Sequence, residues 1–143
     1  MASIKCIRWT WIGLALCSSL GAAEANVVTV VSARSPITTL SKSQVADIFL
    51  GRSSRFPDGA QATPIDQPEE SSVRDEFYNE VTGKSRAQLK AHWSKIIFTG
   101  RGQPPKIVSS SAEIKKLLAA NLFAIAYIDA SQVDTSVRVL EAP

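Results

Sequence analysis

Four times along this chain of 143 residues an apolar helical pattern begins at a serine followed three positions later by Gln, Asp or Glu. The pairs are Ser41 with Gln44, Ser72 with Asp75, Ser85 with Gln88 and Ser110 with Glu113. In such a box the serine oxygen caps a free N–H of the first turn while the longer side chain reaches back to the serine N–H. The faces that follow are Val45, Ile48 and Phe49, then Val73, Phe77 and Val81, then Leu89, His92, Trp93, Ile96 and Ile97, and last Ile114, Leu117 and Leu118. Their spacing is that of amphipathic helices. Gly51 and Gly83 stand where the first two must stop.

Short β-prone runs fall around and between these helices. Val27–Val31 is β-branched almost throughout; Ala62–Asp66, Ile107-Val108, Phe123–Ile128 and Ser136–Leu140 read as further strands. Pro64 puts the second at an edge or near its end. Strands alternating with helices predict an α/β fold, a three-layer sandwich around a mixed, mostly parallel sheet. The predicted core includes Val30, Ile48, Phe49, Phe77, Trp93, Ile97, Leu117 and Tyr127.

The first 25 residues follow a different logic. Lys5 and Arg8 precede the apolar run Trp9–Leu20, and Ala23-Glu24-Ala25 supplies small residues around a cleavage point. That order is a secretory signal peptide, so residues 1–25 are expected to be removed and residues 26–143 to form one domain in the periplasm. The run is too short to span a bilayer, and the mature form is not expected to cross one. Leu16 before Cys17 breaks a lipidation motif. Both cysteines, Cys6 and Cys17, lie in the signal, so the mature domain has no disulfide, thiol nucleophile or Cys-bound metal.

The remaining chemistry is sparse. His92 is the single histidine, which leaves no zinc cluster and no nucleophile, base and orienter set, so an enzyme and a cofactor are not expected. It reads as a structural side chain. Gly83-Lys84-Ser85 imitates the end of a phosphate-binding loop, but Tyr78 occupies the position of the required glycine and a helix precedes it. Glu69-Glu70 reads as a solvated loop. Arg101, between two glycines and near Lys95 and Lys106, is the best basic cluster; an exposed connecting loop is the plainer account. A net charge of +3 with scattered basic residues argues against a nucleic-acid partner.

Several segments together resemble the second lobe of the phosphate-binding proteins of ABC transporters, in the periplasmic binding protein superfamily. They are Leu40–Gly51 with its Gln44-x-x-x-Ile48-Phe49-x-Gly51 spacing, Phe56–Gly59, Pro64–Phe77 and Ala124–Ile128. The pattern covers nearly all of residues 27–140. The resemblance implies one lobe of a type 2 periplasmic binding protein fold, without its mate, so that any ligand site would be open to water.

It also implies where an anion would sit. Full-length relatives carry a Gly-Ser-Gly-Thr turn that opens a helix, with an arginine four residues before the serine. Here the turn reads Glu70-Ser71-Ser72-Val73, and Gln67 stands at the arginine position. By that correspondence Ser71 matches the ligand serine, Ser72 retains a backbone donor, and Arg74 is the replacement cation, with Gln67 in support. A helix N-terminus of this kind favours anions. The plainer alternative is that Ser72 caps the helix while Arg74 pairs with Glu70 or Asp75, and that Asp66 and Gln67 orient the turn. Two functions follow: weak binding of a small oxyanion such as phosphate, or an interaction module that has lost the ligand and acts on a membrane sensor or transporter component. Glu70 introduces a charge that repels an anion, so weak or unmeasurable phosphate binding is expected.

Overall fold

The computed structural model describes residues 27–141; the expected signal peptide and its cleavage after Ala25 lie outside the described residues. Within them the chain alternates strands and helices as the sequence pattern requires. Strand β1 (Val27–Ser32) is followed by α1 (Lys42–Phe49), β2 (Thr63–Asp66), α2 (Ser72–Thr82) and α3 (Arg86–Phe98). Then come β3 (Lys106–Ile107), α4 (Ser111–Ala120), β4 (Ala124–Asp129), a single 3₁₀ turn (Ala130–Gln132) and β5 (Val137–Val139).

The five strands form one sheet in the order β3-β2-β4-β1-β5. β2 pairs in parallel with both β3 and β4, while β1 runs antiparallel to both β4 and β5. The sheet is therefore mixed, as expected: four of its five strands run in one direction, and the two antiparallel pairs both involve β1. β1 lies between β4 and β5 and runs against both, while β2, β3, β4 and β5 share one direction.

Side-chain alternation divides the core into two layers. Val31, Ile125 and Tyr127 point to one face, where α1, α2 and α3 supply Phe49, Phe77, Tyr78, Leu89 and Trp93. Val30, Ala124, Ala126 and Ile128 point to the other, where α4 supplies Ile114 and Leu118. This period-two pattern on strands buried from both sides produces the three-layer sandwich.

Three helices start where the serine pairs place them. Ser41 and Ser85 each cap with a reciprocal bond from Gln44 and Gln88, and Ser110 accepts from the Glu113 N–H. The exception is α2, whose cap is Ser71, one residue before the expected Ser72. Ser71 Oγ accepts from the Arg74 N–H at 3.3 Å, which leaves Ser72 as the first helical residue. Two core assignments also differ. Leu117 is only half-buried, and Ile97 is 55% exposed. Ile97 lines an open groove with Ile107 of β3, which is itself exposed.

Candidate functional site

The carboxyl ends of parallel strands and the helix N-termini beside them form the usual binding crevice of an open α/β sheet. Here that region is built on Asp66, the last residue of β2, whose side chain is almost fully buried. Four donors converge on its carboxylate. Oδ1 accepts from Arg74 Nε at 3.2 Å, from the Gln67 N–H at 2.8 Å and from the Tyr127 hydroxyl; Oδ2 accepts from the Tyr78 hydroxyl at 2.9 Å. Local sequence explains the convergence. Arg74 and Tyr78 are four apart on α2 and so share one helical face, and Tyr127 stands on the neighbouring strand β4. A buried carboxylate is tolerated when a cation and several donors satisfy it.

Burial raises the pKa of both tyrosines above the usual phenol value, and the adjacent Asp66 charge and the hydrogen bonds to it push them further. Both phenols are therefore held neutral as donors. The Tyr127 ring stacks on Phe77 with centroids 4.0 Å apart, so the polar hub is welded to the aromatic core.

A second ring of bonds ties the turn to this hub. Gln67 Nε2 donates to the Tyr127 carbonyl at 3.0 Å, and Ser71 Oγ donates to Gln67 Oε1 at 2.8 Å. The Ser71 N–H donates to the Pro68 carbonyl at 3.0 Å, closing the turn. The structure thus brings together Gln67, Ser71 and Arg74 of the sequence-derived anion residues, and binds each of them internally. Ser72 is exposed and outside the network. Arg74 pairs with neither Glu70 nor Asp75; its partner is Asp66, and its guanidinium also lies 5.1 Å from the centre of the Tyr78 ring. Asp75 is engaged instead by Arg86, whose hydrogen bonds lower the Asp75 pKa.

Sequence reasoning saw Asp66 and Gln67 as orienting groups but missed the two tyrosines. The available signal was the four-residue spacing of Arg74 and Tyr78 on a helix that follows a strand ending in aspartate. The remaining candidates take structural places. His92 Nε2 donates to the Leu50 carbonyl at 2.8 Å and packs edge-on against Trp93. Glu70, Arg101 and Lys106 are exposed. Among the described residues no group of three His, Cys, Asp or Glu side chains could hold a metal. No described helix is long and apolar enough to cross a membrane.

Several solved structures are similar in fold. One, from Clostridium perfringens, is assigned as a phosphate ABC transporter substrate-binding protein and was solved with bound phosphate; it matches with TM-score 0.65 and 23% identity over 81% of this chain and 44% of its own. An ABC-type phosphate transport receptor from Vibrio cholerae matches with TM-score 0.63 and 20% identity over 81% and 45%. PstS from Borrelia burgdorferi matches with TM-score 0.58 and 15% identity over 81% and 46%. No protein-family model and no curated protein matches the chain. The fold is that of a single lobe of a phosphate-type solute-binding protein. The chain spans less than half the length of the structures it resembles.

Proposed function

We propose that this chain is an exported accessory module built on a solute-binding lobe, in which the anion-binding turn has become a brace for the fold. It acts by contacting a protein, such as a membrane sensor or a transporter component, and not by carrying a solute or catalysing a reaction. The observation that carries this reading is the buried Arg74–Asp66 pair. An arginine whose Nε is held by a satisfied carboxylate offers a bound anion less net positive charge, and Glu69 and Glu70 in the adjoining turn add repulsion. Residues 1–25 are the signal that exports it, removed after Ala25; the intact mass of the mature protein tests this.

A second reading is weak oxyanion binding at Ser71, Ser72 and Arg74, with Gln67 in support. One observation favours it: the two Nη groups of Arg74 have no acceptor among the described residues. Calorimetric titration with phosphate separates the two readings. The accessory reading expects no binding, whereas weak binding that Arg74→Ala abolishes, in a variant that remains folded, would favour the second.

A further inference from the structure

The last turn of α3 and the strand β3 leave an apolar patch uncovered. Phe98 is 91% exposed, Ile107 60% and Ile97 55%, values that the core packing of a lone domain does not explain. Ile97 and Ile107 line a groove of about 230 Å³ whose walls also include Trp93 and Pro104. A larger hollow of about 420 Å³ shares Trp93 and Pro104 with it and carries Arg101 and Lys106. Both concavities adjoin β3, the edge strand of the sheet: Ile107 lines one and Lys106 the other.

That edge has free backbone. The Val108 N–H donates to the Asp66 carbonyl at 2.9 Å, and Ile107 stands opposite Asp66 in the parallel register. In a parallel ladder this turns the N–H and C=O of Ile107 itself away from β2, toward the side where no strand lies. Pro104 and Pro105 cannot donate, so pairing there is confined to a short stretch from Ile107 onward.

Charge selects the occupant. Around the groove, Arg74, Arg86 and Lys90 face Asp66, Asp75 and Glu69 in ion pairs. Arg101 and Lys106 have no carboxylate partner among the described residues, nor does Lys95 on the last turn of α3. The patch is apolar at its centre and positive at its rim. Its concave shape suits a protruding side chain better than a flat bilayer.

We propose that the groove between α3 and β3 docks an extended acidic segment of a partner protein. A large apolar side chain of that segment seats between Ile97, Pro104 and Ile107, its main chain pairs with Ile107, and its carboxylates meet Arg101 and Lys106. This is strand addition at a sheet edge, with main-chain bonds giving affinity and the pocket giving selectivity. The inference rests on the reading that the chain works through a protein partner, and it names the surface and the chemistry of that partner.

The test uses the purified protein, isotopically labelled, and two short blocked peptides. One has a central Phe flanked by Val and by Asp and Glu; the other has Lys at every acidic position. The acidic peptide is expected to shift the resonances of Ile97, Ile107 and the Trp93 indole, and the basic peptide is not. Arg101→Glu with Lys106→Glu should weaken binding on the order of tenfold, and Ile97→Ser and Ile107→Ser should weaken it while leaving the melting temperature unchanged. Equal binding of both peptides, or no shifts at these residues, overturns the proposal. So does binding to phosphatidylglycerol vesicles that Phe98→Ser removes without any peptide response, which would make the patch a membrane contact. Concentration-dependent dimerisation through Ile97 and Ile107 would also overturn it. A phosphate titration run alongside tests the accessory reading through a different readout: it is judged on Arg74→Ala, at a residue that borders the groove, whereas docking is judged on Arg101, Lys106 and Ile97.

Discussion

The Nε–H of Arg74 donates to Oδ1 of Asp66 at 3.2 Å, across an ion pair whose two side chains are 12% and 2% exposed. This contact joins the end of β2 to the first turn of α2 and sets the chemistry of everything around it. A carboxylate so deeply buried is tolerated because four donors surround it, one of them the Arg74 cation.

Removing the carboxylate should therefore be expensive. Asp66→Ala leaves Arg74 without its counter-charge and two phenols without an acceptor, and should destabilise the protein by about 3–5 kcal/mol. Glu70→Gly, in the exposed turn directly before the cap Ser71, should change stability by less than about 1 kcal/mol. Urea unfolding of the two variants measures the contrast. Similar losses in both would mean that Asp66 is not the hub.

The two tyrosines give a pH test. They are the only two in the chain, and both have pKa values raised above 10.0 by burial first and by the Asp66 charge second. An unfolded tyrosine ionises near 10. The folded form keeps its proton longer, so this contribution to stability is complete below about pH 10 and declines as pH rises beyond it. Tyrosinate absorbance should stay absent in the folded protein above pH 10 and then appear in one step with alkaline unfolding. A folded protein that shows half its tyrosinate signal near pH 10 would contradict the buried network.

Gly51 offers a test of packing. Its φ is +71°, and a Cβ there would stand 2.9 Å from the Trp93 ring. Gly83 has nearly the same φ, +69°, with open space around it. Gly83→Ala should cost about 1–2 kcal/mol from the left-handed backbone alone. Gly51→Ala should cost more, because Trp93 must also move. Equal shifts in melting temperature would show that Trp93 yields without cost.

Much of the fold was legible because its signals are local. Ser41 with Gln44 and Ser85 with Gln88 each announce a helix within four residues, and Val27–Ser32 and Ala124–Asp129 show their strands in composition alone. Ser71 and Ser72 are adjacent serines, and the acid three after Ser72 drew the cap one residue too far; the bond from Ser71 to Gln67 decides between them. Ile97 fits the helical period but lines an open groove with the exposed Ile107. The site was harder. Asp66 and Tyr127 are 61 residues apart, and no periodicity reports that β4 will lie beside β2. A resemblance to anion-binding turns pointed to Ser71 and Arg74, but only three-dimensional pairing shows that Asp66 already holds the arginine.

The central claim is that the turn at Gln67–Ser72 serves the fold and not a ligand. Isothermal titration of the purified protein with inorganic phosphate tests it most directly. The account predicts no saturable heat up to the millimolar range, where binding energy falls to about 4 kcal/mol. A one-to-one isotherm with micromolar affinity, lost in Arg74→Ala while the fold remains intact, would contradict it.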